Sequence, residues 1–516
     1  MANKTSLDTL FSSKNQQTIT KIVIALCGIF LLWDWYASYE YYRQTAIYGD
    51  IAGIAYPHPW YADVLEHPFG WEAVKTGEGY AATNRFWAHF ITKIYFNNIP
   101  FLLQDLGIHP INSIYVACAL LKLLTQIGLI LLLSKWVLGK QSIRSAATVV
   151  LAAFITSFFL TADTYQAGFD IKSSIVIIDG SIAYTIFYAT SLLLLMLYLH
   201  PFLQRIWGFK EYGFSIPQHI LLAFLAVVIS FNGPTSSPVI LIACPLLLLG
   251  LWLKNFRGIE APSNIFHETL AVIKKIPPSI TFHFTWVILL NIYSFYVGTF
   301  NLENPTTQPS LEERYALLFQ GFYREYIWND FHIAPLGVLF ILIGINTGLL
   351  VKFLEKANQS RYLNTLAFML AFFIAYIFLL PLGGYRNYRP LVIRYDVIMP
   401  TTLGLFFLFF HSCYLLWQHF RGVARVVYTL PLLALVILLT VVDSTPNEPT
   451  NQCEYAAIEQ FANSTDQIVA LPPCAVMSWH LFRSETGIDS ETVSKLLYRW
   501  HIIEEENKRF YNLPRE

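Results

Sequence analysis

Charged residues are scarce in this sequence. Of its 516 residues, 13% are Asp, Glu, Lys or Arg, and the formal net charge at pH 7 is zero. A soluble domain of average composition has about a quarter charged residues, so this chain lacks the polar surface that a globular protein in water needs. Because there is no excess of positive charge, the composition also gives no reason to expect nucleic acid as a partner.

The signature motifs of several large enzyme classes are missing as well. The sequence has no GxxxxGK[ST] phosphate loop, no HExxH zinc motif and no GxSxG nucleophile turn. These absences exclude a P-loop ATPase and leave no zinc site that can be assigned from spacing. No cofactor is implied and no residue is assigned as a metal ligand, although the acids described below are compatible with a divalent cation.

Cysteine occurs six times, in two different settings. Four thiols lie inside apolar blocks, where cysteine behaves as a small hydrophobic residue: Cys27, Cys118, Cys244 and Cys413. Cys453 and Cys474 lie in the polar C-terminal segment, so we predict that these two form a disulfide. The first twenty residues are polar and no small-residue cleavage site follows the first apolar run, so we do not expect a cleavable signal peptide.

Long apolar blocks are what the sequence has in abundance, with 55% hydrophobic residues. About 20 apolar residues in a helix cross roughly 30 Å of hydrocarbon, so we predict an all-α polytopic integral membrane protein with about eleven spans. The predicted spans are 21–39, 111–133, 145–161, 178–199, 219–231, 238–253, 279–298, 333–353, 362–382, 397–417 and 423–442. The fifth and sixth are short and flank the sequence NGPTSSP, so they are either two spans or a broken, re-entrant pair.

The distribution of Lys and Arg predicts the orientation. With the N-terminus inside, the cytoplasmic segments hold seventeen of these residues and the short outside loops hold six, as the positive-inside rule requires. We therefore predict a cytoplasmic tail (1–20), a transmembrane domain (21–442) with a large extracytoplasmic loop (40–110), and a small α or α/β extracytoplasmic segment (443–516). The expected location is the plasma (inner) membrane.

Four acids near the predicted outer surface are candidate catalytic residues: Asp34, Glu40, Asp50 and Asp163. Asp34 lies near the outer end of the first span, where an ionisable side chain is costly and therefore a functional candidate. The alternative is an interfacial role, because the flanking Trp33 and Trp35 are typical of a headgroup belt. Glu40 and Asp50 follow in the first loop. Asp163 lies in the next outside turn, where a merely solvated carboxylate is the alternative.

The outside segment GGYRNYRPLVIRYD contains half of the positive charge of the short outside loops. The forked donors of arginine match phosphate oxygens, and neighbouring tyrosines add hydroxyl donors. We therefore interpret Arg386, Arg389, Arg394 and Tyr385 as a clamp for a lipid-borne phosphate. The alternative is internal ion pairing with Asp396 and with the acids of the preceding outside loop.

The sequence resembles the GT-C superfamily in its overall plan. It has a long first loop with acids after the first span, an acidic second turn, an outside arginine cluster and a C-terminal extracytoplasmic segment. That superfamily includes protein O-mannosyltransferases and aminoarabinose transferases. The Asp-Glu pair common in its first loop is absent here, where Asp34, Glu40 and Asp50 are single acids.

The resemblance implies transfer of a sugar from a polyprenyl-phosphate donor to a glycan, lipid or protein acceptor outside the cytoplasm. An acid would act as general base at the acceptor hydroxyl, and the arginines would neutralise the departing lipid phosphate. The alternatives are an O-antigen polymerase or ligase, a secondary transporter or flippase, and a non-catalytic membrane subunit. Few intramembrane charges and no repeated halves count against a transporter, whereas the broken segment 232–238 favours one.

Overall fold

The computed structural model describes residues 13–514, except for 48, 57, 140–144, 161–174, 210–212, 257–273, 305–307, 330–331, 384, 386–390 and 444–448. This part of the chain is mostly helical and has only four short strands. The helices are α1 (Ser13–Arg43), α2 (Ile51–Ala55), α3 (Pro59–Glu66), α4 (Trp71–Thr76), α5 (Phe86–Phe96), α6 (Ile99–Asp105), α7 (Pro110–Leu138), α8 (Ala146–Thr156), α9 (Ile182–Ile206), α10 (Ile216–Ser230), α11 (Ser236–Phe256), α12 (Pro278–Val297), α13 (Leu311–Phe322), α14 (Pro335–Phe353), α15 (Lys356–Leu379), α16 (Tyr395–His419), α17 (Gly422–Asp443), α18 (Gln452–Asn463) and α19 (Glu491–Arg499).

Nine helices of the described chain are long and apolar enough to cross a membrane, which makes the chain an integral membrane protein. They are α1, α7, α9, α11, α12, α14, α15, α16 and α17. The predicted count of eleven is not confirmed, because the predicted spans 145–161 and 219–231 correspond to two shorter apolar helices. These are α8, with 11 residues, and α10, with 15, and at 1.5 Å per residue they are about 16 and 22 Å long.

The break between α10 and α11 is held by α9. Gly233 lies so close to it that a Cβ at this position would be 2.1 Å from the carbonyl oxygen of Phe187. The neighbouring Asn232 donates its side-chain amide to the Ser191 hydroxyl over 2.5 Å. The two helices on either side of this break differ in length: α11 is long enough to span a bilayer and α10 is not.

The first loop and the segment after α12 lie outside the membrane helices and position the site described below. The first loop contains the short helices α2 to α6, and it is joined to the end of α12 by an isolated bridge between Tyr80 and Asn301. In the same region, the Thr83 hydroxyl donates to the carbonyl oxygen of Val297 over 2.9 Å. A two-residue hairpin, β1 (Trp328–Asn329) with β2 (His332–Ile333), precedes α14.

The C-terminal segment forms a small α/β appendage (residues 449–514). Its helices α18 and α19 accompany a parallel pair of strands, β3 (Ile468–Leu471) and β4 (Arg509–Asn512). The predicted disulfide between Cys453 and Cys474 is confirmed, with Cα atoms 6.0 Å apart. The appendage packs on the first loop, where Trp500 donates its indole N–H to the carbonyl oxygen of Phe96 over 2.8 Å.

Candidate functional site

Asp50, one of the predicted catalytic acids, lies in a polar cluster at the junction of the first loop, the segment after α12 and the appendage. The side chain of Trp479, from the appendage, is hydrogen-bonded to the Asp50 carboxylate. Glu303 and Arg85 lie close enough to act on that carboxylate electrostatically. Burial and the neighbouring charge of Glu303 raise the pKa of Asp50, so this acid is a stronger base than an exposed aspartate.

Glu303 is the centre of this cluster. The Tyr61 hydroxyl donates to its Oε1 over 3.2 Å, and Arg85 donates from Nη1 to its Oε2 over 3.1 Å. The Asn301 amide donates to the same Oε2 over 3.2 Å. The Arg85 and Glu303 side chains are only 17% and 15% exposed, so their charges are little screened by water and the pair fixes the geometry of the cluster.

Backbone pairing between the first loop and the segment after α12 explains why Arg85 meets Glu303. Ala82 adopts a φ of 58°, which is uncommon for a residue with a Cβ, and its N–H donates to the Asn301 side chain over 2.9 Å. The N–H of Leu302 donates to the carbonyl oxygen of Tyr80 over 3.3 Å. These contacts place the start of α5, which carries Arg85, beside Glu303.

His89, one turn further along α5, adds a neutral ring to the cluster. Its ring centroid lies 5.1 Å from that of Tyr61 and 5.5 Å from that of Phe187. The side chain is buried, and its Nδ1 has no hydrogen-bond partner among the residues that the structure describes. Burial lowers the pKa of His89 to about 3, so the ring is uncharged at neutral pH and contributes no positive charge beside Arg85.

A row of three aromatic side chains connects Asp50 to Arg394. The row begins with Trp479, whose ring centroid lies 5.5 Å from that of Tyr184. The ring of Tyr184 lies 5.8 Å from that of Tyr188, and Arg394 donates from Nη2 to the Tyr188 hydroxyl over 3.4 Å. Both tyrosines belong to the irregular first turns of α9, where a π-helical segment spans Thr185–Thr190. Such segments are frequent at functional sites.

At the other end of the row, Arg394 is paired with an acid. Its Nε donates to Oδ1 of the fully buried Asp396 over 2.6 Å. The next tyrosine, Tyr395, donates its hydroxyl to Asp179 over 2.6 Å, and burial raises the pKa of that aspartate. Arg394 therefore makes the ion pair with Asp396 that the alternative interpretation expects.

The other predicted site residues lie elsewhere or outside the described residues. Asp34 accepts a hydrogen bond of 2.6 Å from the Thr156 hydroxyl of α8, a contact between two helices. Glu40 forms an ion pair of 2.7 Å with Arg43 on its own helix. Tyr385 is buried, with 8% exposure, and the structure does not describe Asp163, Arg386 or Arg389. Among the predicted residues that the structure describes, Asp50 and Arg394 are connected through the contacts described above.

Four members of the cluster were not among the predicted site residues: Arg85, His89, Glu303 and Trp479. Arg85 and His89 lie within the long first loop, where single charged or polar residues carry no recognisable spacing. Glu303 is one of several acids in the loop before α14. For Trp479, the sequence offered no signal except its position in a segment predicted to lie on the same side of the membrane.

A separate group on the first loop has donors suited to a divalent cation. Ligand atoms of Asp63, Glu66 and His67 all lie within 4.8 Å of one another at the end of α3. The spacing i, i+3, i+4 places them on one side of the helix. This group is at the surface, and acids often lie together there without a metal, so the geometry alone assigns it no role.

Comparisons with known proteins give only weak similarity. No protein-family model matches the sequence, and no curated protein matches it. Among solved structures, the chain is similar to an oligosaccharyltransferase from Archaeoglobus fulgidus in complex with Zn and sulfate, with a TM-score of 0.37 and 12% identity. The match covers 86% of this chain but 56% of that chain, so this protein spans little more than half of its length. Similarity of this size establishes neither a shared fold nor a shared activity.

Proposed function

We propose that this protein is a membrane glycosyltransferase that moves a sugar from a polyprenyl-phosphate donor to an acceptor hydroxyl on the extracytoplasmic side. The observation that supports the proposal is the row of Trp479, Tyr184 and Tyr188, with Asp50 at one end and Arg394 at the other. Asp50 is a carboxylate that can accept a proton, and Arg394 is a guanidinium that can bind a phosphate. Aromatic rings separate the two.

The proposed reaction assigns one task to each end of the row. The bond between the anomeric carbon and the phosphate oxygen breaks, and the acceptor oxygen bonds to the same carbon. Asp50 takes the acceptor proton as general base, and burial beside Glu303 makes it more basic than an ordinary aspartate. The polyprenyl phosphate leaves with the electron pair, and its negative charge is stabilised by Arg394.

Arg394 alone is a weak phosphate site, because Asp396 already neutralises much of its charge. The proposal therefore retains Arg386 and Arg389 as further cations of the clamp, together with Tyr385. They belong to the same outside segment of the sequence, only a few residues before Arg394. In contrast, Asp34 and Glu40 are engaged by Thr156 and Arg43, so we assign the base to Asp50.

The test is sugar transfer by membranes that contain the full-length protein. Undecaprenyl phosphate carrying a radiolabelled hexose is supplied, and label is followed into the glycan, lipid and protein fractions. We expect Asp50→Asn to lower transfer roughly 100-fold or more, the usual contribution of a general base. Glu40→Gln is the matched control, since Glu40 is a nearby acid at the end of α1 that is ion-paired with Arg43 on the same helix, and the substitution should leave transfer unchanged.

Transfer that is unaffected by Asp50→Asn, at equal protein level in the membrane, would show that Asp50 is not the base. Absence of any label transfer by the wild-type protein with a panel of glucose, mannose and galactose donors would instead count against the glycosyltransferase activity itself. The two outcomes separate the identity of the base from the nature of the reaction.

A further inference from the structure

We propose that Trp479 is the sugar-binding residue of this site, and that the pyranose ring of the donor packs on its indole while the sugar is transferred. The inference rests on the proposed function, because it names a side chain that would hold the transferred sugar. It makes the C-terminal appendage a part of the active site rather than a separate module.

The first observation is the close packing of Trp479 on the backbone next to Asp50. Gly49 has a φ of +96°, and a Cβ built there would lie 2.8 Å from Cζ2 of Trp479. Only glycine combines that conformation with so close an approach. The chain before Asp50 is therefore shaped to accept the indole, and the indole in turn is hydrogen-bonded to the Asp50 carboxylate.

The second observation is a buried carboxylate that fixes both segments. Glu454 accepts a hydrogen bond from the N–H of Met477 over 2.8 Å. Its other oxygen accepts from the N–H of Ile47 over 2.8 Å and from the Tyr115 hydroxyl over 3.0 Å. One side chain thus ties the chain three residues before Asp50 to the chain two residues before Trp479.

The backbone at Met477 is strained. Its φ is 49°, a left-handed conformation that residues with a Cβ rarely adopt, and the side chain is buried. Strain of this kind persists only where the surrounding contacts hold it, and it is concentrated at functional sites. Here the hydrogen bond to Glu454 holds it, and the result is the particular direction in which the chain presents Trp479.

The third observation is that Trp479 keeps an open surface despite these contacts. It is 43% exposed, although it packs on Tyr184 and is hydrogen-bonded to Asp50. The faces of an aromatic ring carry partial negative charge and attract the C–H groups of an apolar or amphipathic ligand. A fixed, half-exposed indole beside a carboxylate therefore offers a pyranose an apolar carbon surface and one acceptor for its hydroxyls.

The position of Trp479 indicates that it would bind the transferred sugar of the donor and not the acceptor. It contacts the base at one end of the aromatic row, and the row leads to Arg394 at the other end. A sugar whose anomeric carbon is attacked must lie between the acceptor oxygen and the phosphate. The transferred sugar of the donor fits that place, whereas the acceptor would approach from the Asp50 side.

The experiment compares the affinity of the full-length protein in nanodiscs for two probes, undecaprenyl phosphate and undecaprenyl phosphate carrying glucose, mannose or galactose. We expect the wild-type protein to bind at least one sugar-bearing lipid more tightly than the bare lipid. Trp479→Ala should reduce that preference about tenfold, the size of one aromatic contact, and leave the affinity for the bare lipid unchanged. Trp479→Phe should retain most of the preference, because it retains an aromatic face.

Trp60→Ala is the matched control, because Trp60 is a comparably exposed tryptophan of the first loop, at 46%; it should leave the preference intact. A preference that survives Trp479→Ala, or a wild-type protein that does not distinguish the lipids, would overturn the inference alone. A wild-type protein that binds neither probe would overturn the proposed function as well. Unchanged affinity of Trp479→Ala for the bare lipid shows that the variant is folded.

Discussion

At the scale of single residues, the groups around Asp50 have opposing effects on its pKa. Burial raises its pKa, and the charge of Glu303 raises it further, whereas the hydrogen bond from Trp479 and the charge of Arg85 lower it. The raised pKa means that Asp50 holds its proton at pH values where an exposed aspartate is ionised. A general base works only when it is unprotonated, so the transfer rate should fall as the pH falls through this raised pKa.

Replacing Glu303 should move that pH dependence in a defined direction. Asp50 faces titratable or charged groups from three parts of the chain: Tyr61 and Arg85 in the first loop, Glu303, and His480 in the appendage. Glu303→Gln removes the negative charge and releases Arg85 from its partner, and both changes favour the ionised form of Asp50. The acid limb of the kcat/KM profile should therefore shift to lower pH.

The pH profile of Glu72→Gln serves as the control, since Glu72 is a partly exposed acid of the same loop that pairs with Lys75. Its acid limb should coincide with that of the wild-type protein. An acid limb for Glu303→Gln that stays in place or moves to higher pH would show that another group, and not Asp50, governs the profile.

At the scale of secondary-structure elements, the apolar blocks predicted most helices but not all of their ends. The predicted span 178–199 begins at Ile182 in the structure. Before the helix, the Asp179 carboxylate accepts a hydrogen bond from the backbone N–H of Ser181 over 2.6 Å and forms a turn. Two blocks predicted as spans, 145–161 and 219–231, are short helices. Hydrophobicity reports how apolar a segment is, whereas its end depends on local hydrogen bonds that the apolar pattern does not encode.

The packing of the appendage on the rest of the protein depends on hydrogen bonds to one buried carboxylate, and this dependence can be tested. Glu454 on α18 is buried and accepts hydrogen bonds from Ile47, Tyr115 and Met477. In Glu454→Gln, one of the side-chain oxygens becomes an amide N–H₂ that cannot accept, so at least one buried donor loses its partner. We expect a loss of about 1–3 kcal/mol in the free energy of unfolding of the docked appendage, measured by thermal unfolding in detergent.

Glu459→Gln, an exposed position on the same helix, should change the unfolding temperature little. Because Glu454 holds both Asp50 and Trp479 in place, the sugar transfer of Glu454→Gln should also fall. An unfolding temperature equal to that of the wild-type protein would show that these hydrogen bonds do not stabilise the docked appendage.

At the scale of the whole molecule, the packing of the appendage on the first loop bears on the number of membrane crossings. Both tracts must lie on one side of the membrane, since Trp500 and Gln104 join them directly. The chain between them must then cross an even number of times. Nine spans in total, or the predicted eleven, both satisfy this condition. That the shared side is extracytoplasmic remains a prediction from the distribution of Lys and Arg.

The candidate site could be predicted only in part, because it is assembled from distant segments. The sequence predicts Asp50 because it follows the first span, and Arg394 because arginines cluster where the positive-inside rule disfavours them. Glu303 and Trp479 reach the cluster through the pairing of Tyr80 with Asn301 and through the docking of the appendage. Such contacts between residues hundreds of positions apart have no signature in the spacing of a single sequence.

Donor affinity and sugar transfer, measured for a variant at each end of the aromatic row, test most directly whether one site holds a base at Asp50 and a phosphate clamp at Arg394. Arg394→Lys keeps a charge beside the buried Asp396 but loses the forked donors. We predict that it weakens binding of the undecaprenyl-phosphate hexose about tenfold, whereas Asp50→Asn binds the donor as the wild-type protein does and fails to transfer the sugar. Wild-type donor affinity in Arg394→Lys, or joint loss of binding and transfer in Asp50→Asn, would contradict these two roles.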